Sequence, residues 1–196
     1  MIVIMGLPGV GKSTLLRELI KKNKKISVLN YGDIVLRFAK NEFNITNRDE
    51  INNLPESKHK KIQNLAISEI SSIEKKESKI GRILFLDTHA ALKKPSGFMP
   101  GLSYELLSSV PIDAFIFIDA PTNEILERRE LDVSRKRPTF TANDINDLRE
   151  VSLSMINVYS AATGKPYYIL INRKGKLKES VMELNRIVSK IYLWKI

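Results

Sequence analysis

The stretch GLPGVGKST, Gly6 to Thr14, follows the apolar run MIVIM and leads into STLLRELIKK. The run before it is short, apolar and partly β-branched, which predicts a buried strand. The run after it places Leu15, Leu16, Leu19 and Ile20 on one helical face. Gly6 to Lys12 is then a turn joining strand to helix. Its spacing, Gly6, four residues, Gly11, Lys12, Ser13, matches the phosphate-binding P-loop. Glycines suit a backbone that curls with its N–H groups inward, where side chains would block phosphate oxygens. The start of the next helix adds free N–H groups and the positive end of its dipole. Lys12 supplies charge toward the β- and γ-phosphates, and Ser13 a hydroxyl ligand for Mg²⁺. With Leu7, Pro8, Gly9, Val10 and Thr14 the loop predicts a nucleoside-triphosphate site.

Outward from this loop, strands and helices alternate. ISVLN (Ile26 to Asn30), Ile83 to Leu86 ending in Asp87, Ala114 to Ile118, and Tyr167 to Ile171 read as four further strands. Helical faces recur at Ile62, Leu65, Ala66, Ile70 and Ile73, then at Ile145, Leu148, Ser152, Met155 and Tyr159. A third set is Val181, Leu184, Ile187, Val188 and Ile191. Continuous apolar strands between amphipathic helices predict an α/β fold, a five-stranded parallel sheet with helices on both faces. The chain has 196 residues and no Pro/Gly-rich linker or repeat, so one domain is expected. KKPSGFMPGLS, Lys93 to Ser103, holds two prolines and two glycines and reads as a loop. Trp194 reads as an anchor for the last helix or a subunit contact.

With 32 Lys and Arg against 22 Asp and Glu, the formal charge is +10. That fits a nucleic-acid or anionic-membrane partner, a polyanionic small substrate, or a lysine-solvated surface. The cluster KKNKK at Lys21 to Lys25 falls where the first helix ends, at the negative end of its dipole. No cysteine is present, which excludes disulfides and thiolate metal sites and fits a reducing cytoplasm. No apolar run has the length of a membrane span, and the five apolar N-terminal residues lack the basic flank of a secretory signal.

Ligands of open parallel sheets bind beyond the carboxyl ends of the strands. Asp87 closes the third strand there, as a second Mg²⁺-site carboxylate does, or serves as a turn aspartate. Asp33 and Arg37, four residues apart in NYGDIVLRFA, share one helical face and could pair with each other. In ERRELDVSRKRP, Arg128, Asp132 and Arg135 form a stripe if helical, and Arg137 follows just before Pro138. Converging arginines suit a transferring phosphoryl group, and a solvated charged helix is the plainer alternative. His89 beside Asp87 reads as a hydrogen-bonding or packing residue, since phosphoryl transfer makes little demand on a base.

GLPGVGKST, NYGD, RDEINNL, DTHAALKKPSGFMPGL and the arginines of ERRELDVSRKR together resemble archaeal-type adenylate kinase, in the same order along the whole chain. The resemblance implies the nucleoside monophosphate kinase fold, an AMP-binding flap around residues 31–78 and a short lid around 129–141. It implies the reaction ATP + AMP = 2 ADP with Mg²⁺, and trimeric assembly. By position, Gly6 to Thr14 would hold ATP; Asp33, Arg37 and Lys93 would serve AMP; Asp87 would meet the water shell of Mg²⁺. Lys12, Arg128, Arg135 and Arg137 would be the catalytic set. Lys93 departs from the arginine expected in its loop: charge is kept and the bidentate fork is lost. Leu131 likewise stands where another basic residue would fit. A CMP, UMP or GMP kinase and an RNA-associated ATPase remain the alternative readings.

Overall fold

The computed structural model describes residues 1–47, 50–51, 54–94, 97–131 and 140–193. Arg135, Arg137, Asp132 and Trp194 lie outside the described residues. Five strands, β1 (Ile2–Gly6), β2 (Ile26–Asn30), β3 (Ile83–Asp87), β6 (Ala114–Asp119) and β7 (Tyr167–Ile171), form one sheet in the order β2-β3-β1-β6-β7. Every neighbouring pair is parallel. β1 and β6 are buried along their full length, as central strands covered on both faces must be.

Right-handed crossovers convert this order into layers. From β1 to β2 the chain steps one way, which puts α1 (Lys12–Lys22) on one face. All later steps run the other way. They put α3 (Glu56–Lys79), α4 (Tyr104–Ser109) and α6 (Ala142–Thr163), which follows α5 (Thr122–Leu131), on the opposite face. The last helix, α7 (Leu177–Leu193), returns to pack on α1. The predicted apolar face of α7 is buried as read, at Val181, Leu184, Ile187, Val188 and Ile191; on α1 Leu15, Leu16 and Leu19 are buried and Ile20 is only partly so. On α3 the buried set includes Ile67, which the predicted face lacks, and on α6 Ile156 is fully buried where Met155 is only partly so.

α2 (Tyr31–Phe43) and the start of α3 enclose a second, small core of Ala39, Ile45, Ile51 and Ile62. It is distinct from the large core of the sheet, and Val35 and Phe38 pack against both.

The segment expected to be a loop at 93–103 is ordered differently. β4 (Ala91–Lys94) and β5 (Gly97–Pro100) form an antiparallel ladder, with Lys93 opposite Phe98. Proline and glycine are tolerated here because of where they stand. Pro100 ends a two-stranded ribbon where a missing N–H leaves no ladder bond open, and Gly97 carries φ 117 at the first residue of β5. The Tyr159 hydroxyl, from α6, ties the base of this hairpin. It donates to the Ala90 carbonyl at 2.8 Å and accepts from the N–H groups of Gly101 and Leu102 at 3.0 and 3.2 Å.

Candidate active site

β1 is the central strand, and the loop at its carboxyl end opens directly into α1. Gly9 and Gly11 have φ 103 and 83, a left-handed backbone that side chains disfavour. No side chain caps α1, and its first turn holds no acidic residue, so its leading N–H groups face out of the helix unclaimed by a side chain. The loop's carbonyls are held instead. His89 Nδ1 donates to the Gly6 carbonyl at 2.8 Å, and Asn172 Nδ2 and Arg128 Nη1 both donate to that of Val10, at 2.8 and 2.9 Å.

Lys12 lies in the first turn of α1, buried at 8 % exposure. Its Nζ pairs with Asp87 Oδ1 and donates to the Thr88 carbonyl at 2.7 Å. Burial pulls its ammonium below the usual lysine range, and Asp87 opposes that pull. The second oxygen of Asp87 accepts from Asn30 Nδ2 at 3.0 Å. Asn30 and Asp87 are register partners at the ends of β2 and β3, so the sheet itself brings them together. Asn30 also caps α2 through Oδ1, which accepts from Asp33 N–H. Ser13 and Thr14 are exposed at the mouth of the loop.

The described residues thus join Gly6–Thr14, Asp87 and Arg128 in one cluster, with Asp33 attached through Asn30. The Arg128 guanidinium also donates to Glu124 at 2.7 Å and to the Asn172 carbonyl at 3.0 Å, behind the loop. Arg37 pairs with Glu69 on α3, the partner across the helices, and its guanidinium lies 5.2 Å from the Phe38 ring centre. Lys93 pairs with Asp144 at the start of α6 and lies 5.8 Å from the Phe140 ring centre, with Arg129 at 4.2 Å from the same ring. Among the described residues, no group of three or more His, Cys, Asp or Glu is placed to hold a metal ion, and no helix is long and apolar enough to cross a membrane.

Sequence reading missed Asn30, Asn172, Glu124 and Arg149. Arg149 binds Asp119 at 2.8 Å and the Ala120 carbonyl at 2.9 Å, fixing the end of β6. The available signal was position: Asn30, Asp119 and Asn172 each stand at or just past the carboxyl end of a core strand, the edge where ligands bind.

The Lys93–Asp144 contact makes a pH prediction. The hydrogen bond from Lys93, then those from the Thr141 N–H and hydroxyl, hold the Asp144 carboxyl well below the usual carboxylate range. A depressed carboxylate stabilises the fold fully above its unfolded value near 3.8, and loses that effect as pH falls toward the folded value. Thermal midpoints measured from about pH 5 down to about pH 2 are expected to fall more steeply for the wild type than for Asp144→Asn. Parallel curves would show that the contact contributes nothing.

A sequence family described as an AAA domain matches residues 5–146. The chain is 35% identical over 184 residues to an adenylate kinase of Methanopyrus kandleri, covering 93% of this chain and 94% of that protein. Adenylate kinases of Methanocaldococcus jannaschii and Pyrococcus furiosus are each 31% identical, covering 95% of this chain and 97% and 94% of theirs. In fold it is similar to a shikimate kinase of Bacteroides thetaiotaomicron, with a TM-score of 0.57 at 13% identity over 96% of this chain and 97% of that one. A gluconokinase of Sinorhizobium meliloti aligns over 100% of this chain and 97% of its own, with a TM-score of 0.50 at 15% identity. Loop, sheet and near full-length identity agree: the chain belongs to the adenylate kinase family, in its archaeal branch, and carries an AAA domain over residues 5–146.

Proposed function

We propose that this protein transfers the γ-phosphoryl group of ATP to AMP, reversibly and with Mg²⁺, to give two ADP. The observation that carries the reading is the uncapped start of α1 behind a loop whose carbonyls are held by side chains, with Lys12 buried at its centre. Inward N–H groups and one ammonium suit a polyphosphate.

In this reading Gly6 to Thr14 wrap the ATP phosphates, and Lys12 exchanges Asp87 for phosphate oxygens. Ser13, and Asp87 through water, would hold Mg²⁺. One hydroxyl and one carboxylate make an all-oxygen set suited to an ion that keeps several waters and shares the phosphates. When bound, the ion neutralises charge on the β- and γ-phosphates. Asp33, Arg37 and Lys93 would receive AMP; for that, Arg37 must exchange Glu69, and Lys93 must exchange Asp144, for phosphate oxygens. Arg135 and Arg137 would spread their charge over the transferring group, with Arg128 acting through the loop backbone it holds. Rate then comes from positioning and charge stabilisation with water kept out. The small core of α2 and α3 supports an AMP flap around 31–78 that moves as a unit, and a lid around 129–141 is its counterpart. Trimeric assembly and a cytoplasmic location belong to this proposal and rest on the family resemblance.

The test is a panel of acceptors with ATP, read by ADP formation. AMP is expected to exceed CMP, UMP and GMP by about tenfold or more in kcat/KM. A pyrimidine or guanine acceptor that outpaces AMP would replace the acceptor assignment. ATP turnover that needs RNA and no mononucleotide would overturn the kinase reading.

A further inference from the structure

We infer that Asn172 is a positioning residue for ATP: it holds the P-loop in its phosphate-binding conformation by fixing the Val10 carbonyl outward. This rests on the assignment of Gly6 to Thr14 as the ATP site. A P-loop binds phosphate only while its N–H groups point inward, and each peptide unit carries a carbonyl that must then point outward. A carbonyl turned toward the ligand would present partial negative charge to a polyanion. Outward carbonyls in a buried loop need donors, because a buried polar group left unpaired is costly.

The loop has these donors at both ends. The Gly6 carbonyl takes His89 Nδ1 at 2.8 Å, and because a carbonyl only accepts, Nδ1 carries the proton. The Leu7 carbonyl takes the Val10 N–H at 3.3 Å within the loop. The Val10 carbonyl, last before Gly11 and α1, takes two donors, Asn172 Nδ2 at 2.8 Å and Arg128 Nη1 at 2.9 Å, which fill both lone pairs.

Asn172 is itself rigidly placed. It is buried at 6 % exposure, its N–H donates to the Asp119 carbonyl at 2.7 Å, and its carbonyl accepts from Arg128. Its amide also explains Gly11. A Cβ there would stand 2.7 Å from Asn172 Nδ2, so the helix entry is glycine partly because asparagine occupies the space behind it. The side chain bonds the loop through the Val10 carbonyl and not through an N–H group, so its effect on ATP is indirect.

The experiment compares wild type with Asn172→Leu, which keeps the branched shape and removes the donor. Affinity is measured by calorimetry for a non-hydrolysable ATP analogue, for inorganic tripolyphosphate and for AMP. Both polyphosphates are expected to lose affinity by a similar factor, about tenfold. AMP affinity is expected to stay near wild type. Asn172→Ser, smaller and still a donor, is expected to lose less in the same direction, and serves if the leucine variant does not fold. Unchanged tripolyphosphate binding in either variant overturns the inference, as does an equal loss of AMP affinity, which would mean general disorder. Failure of the wild type to bind tripolyphosphate or the ATP analogue would instead overturn the ATP-site reading beneath it.

Discussion

Replacing Lys12 by methionine is expected to lower turnover by about a thousandfold in an ADP-coupled assay, and to destabilise the protein as well. The catalytic part follows from charge. Lys12 is the only ionisable residue in Gly6 to Thr14, and phosphoryl transfer offers the protein little to do beyond positioning and stabilising charge. Methionine keeps length and apolar stem and removes the ammonium alone.

The stability part comes from burial. From sequence, a lysine in an anion-binding loop reads as a functional group whose loss leaves the fold intact. Here its Nζ is one half of an ion pair in which both side chains are 9 % exposed. Without it, Asp87 keeps only Asn30 as a side-chain donor among the described residues. Removing one partner of a buried pair costs about 3–5 kcal/mol, because the other charge is left uncompensated. The two effects separate in the double variant Lys12→Met with Asp87→Asn. A neutral amide needs no counter-charge, so thermal stability is expected to return toward wild type while turnover stays low. Near-native turnover for the single variant would sink the assignment of Lys12.

How far sequence carries depends on how local the cause is. The sheet was legible because a strand covered on both faces leaves an apolar run wherever it passes, as in Ile2 to Met5 and Phe115 to Ile118. The P-loop was legible because its spacing is local and Gly9 and Gly11 answer to a left-handed backbone at their own positions. Arg37 was not. Its nearest candidate partner in sequence was Asp33, four residues back, and the structure pairs it with Glu69, 32 residues on, because α2 packs against α3. Asn172 reaches Val10 across 162 positions, and no periodicity encodes that contact. The hairpin of β4 and β5 was obscured for another reason. Proline and glycine counted over eleven residues signal a loop, whereas Gly97 and Pro100 stand at the two ends of β5, where a ribbon accepts them.

Gly101→Ala tests whether that hairpin base supports the P-loop, and the expected loss is about 4 kcal/mol or more of stability. A Cβ built on Gly101 stands 1.8 Å from the His89 carbonyl oxygen and 2.7 Å from its carbon. Both are backbone atoms, so no rotamer change relieves the overlap. The Gly101 N–H also donates to the Ala90 carbonyl at 2.9 Å and to the Tyr159 hydroxyl, so the two backbones cannot part without breaking those bonds. The displaced residue is His89, whose imidazole holds the Gly6 carbonyl at the start of the P-loop. A methyl group placed outside the loop is therefore expected to raise KM for ATP as well as lower the melting temperature. Gly81→Ala is the matched control. Gly81 has φ 70 with open space around it, so alanine there adds backbone strain of about 1–2 kcal/mol and no collision. If Gly101→Ala melts no lower than Gly81→Ala and keeps its KM for ATP, the close approach of 101 to 89 is not what holds this corner of the site.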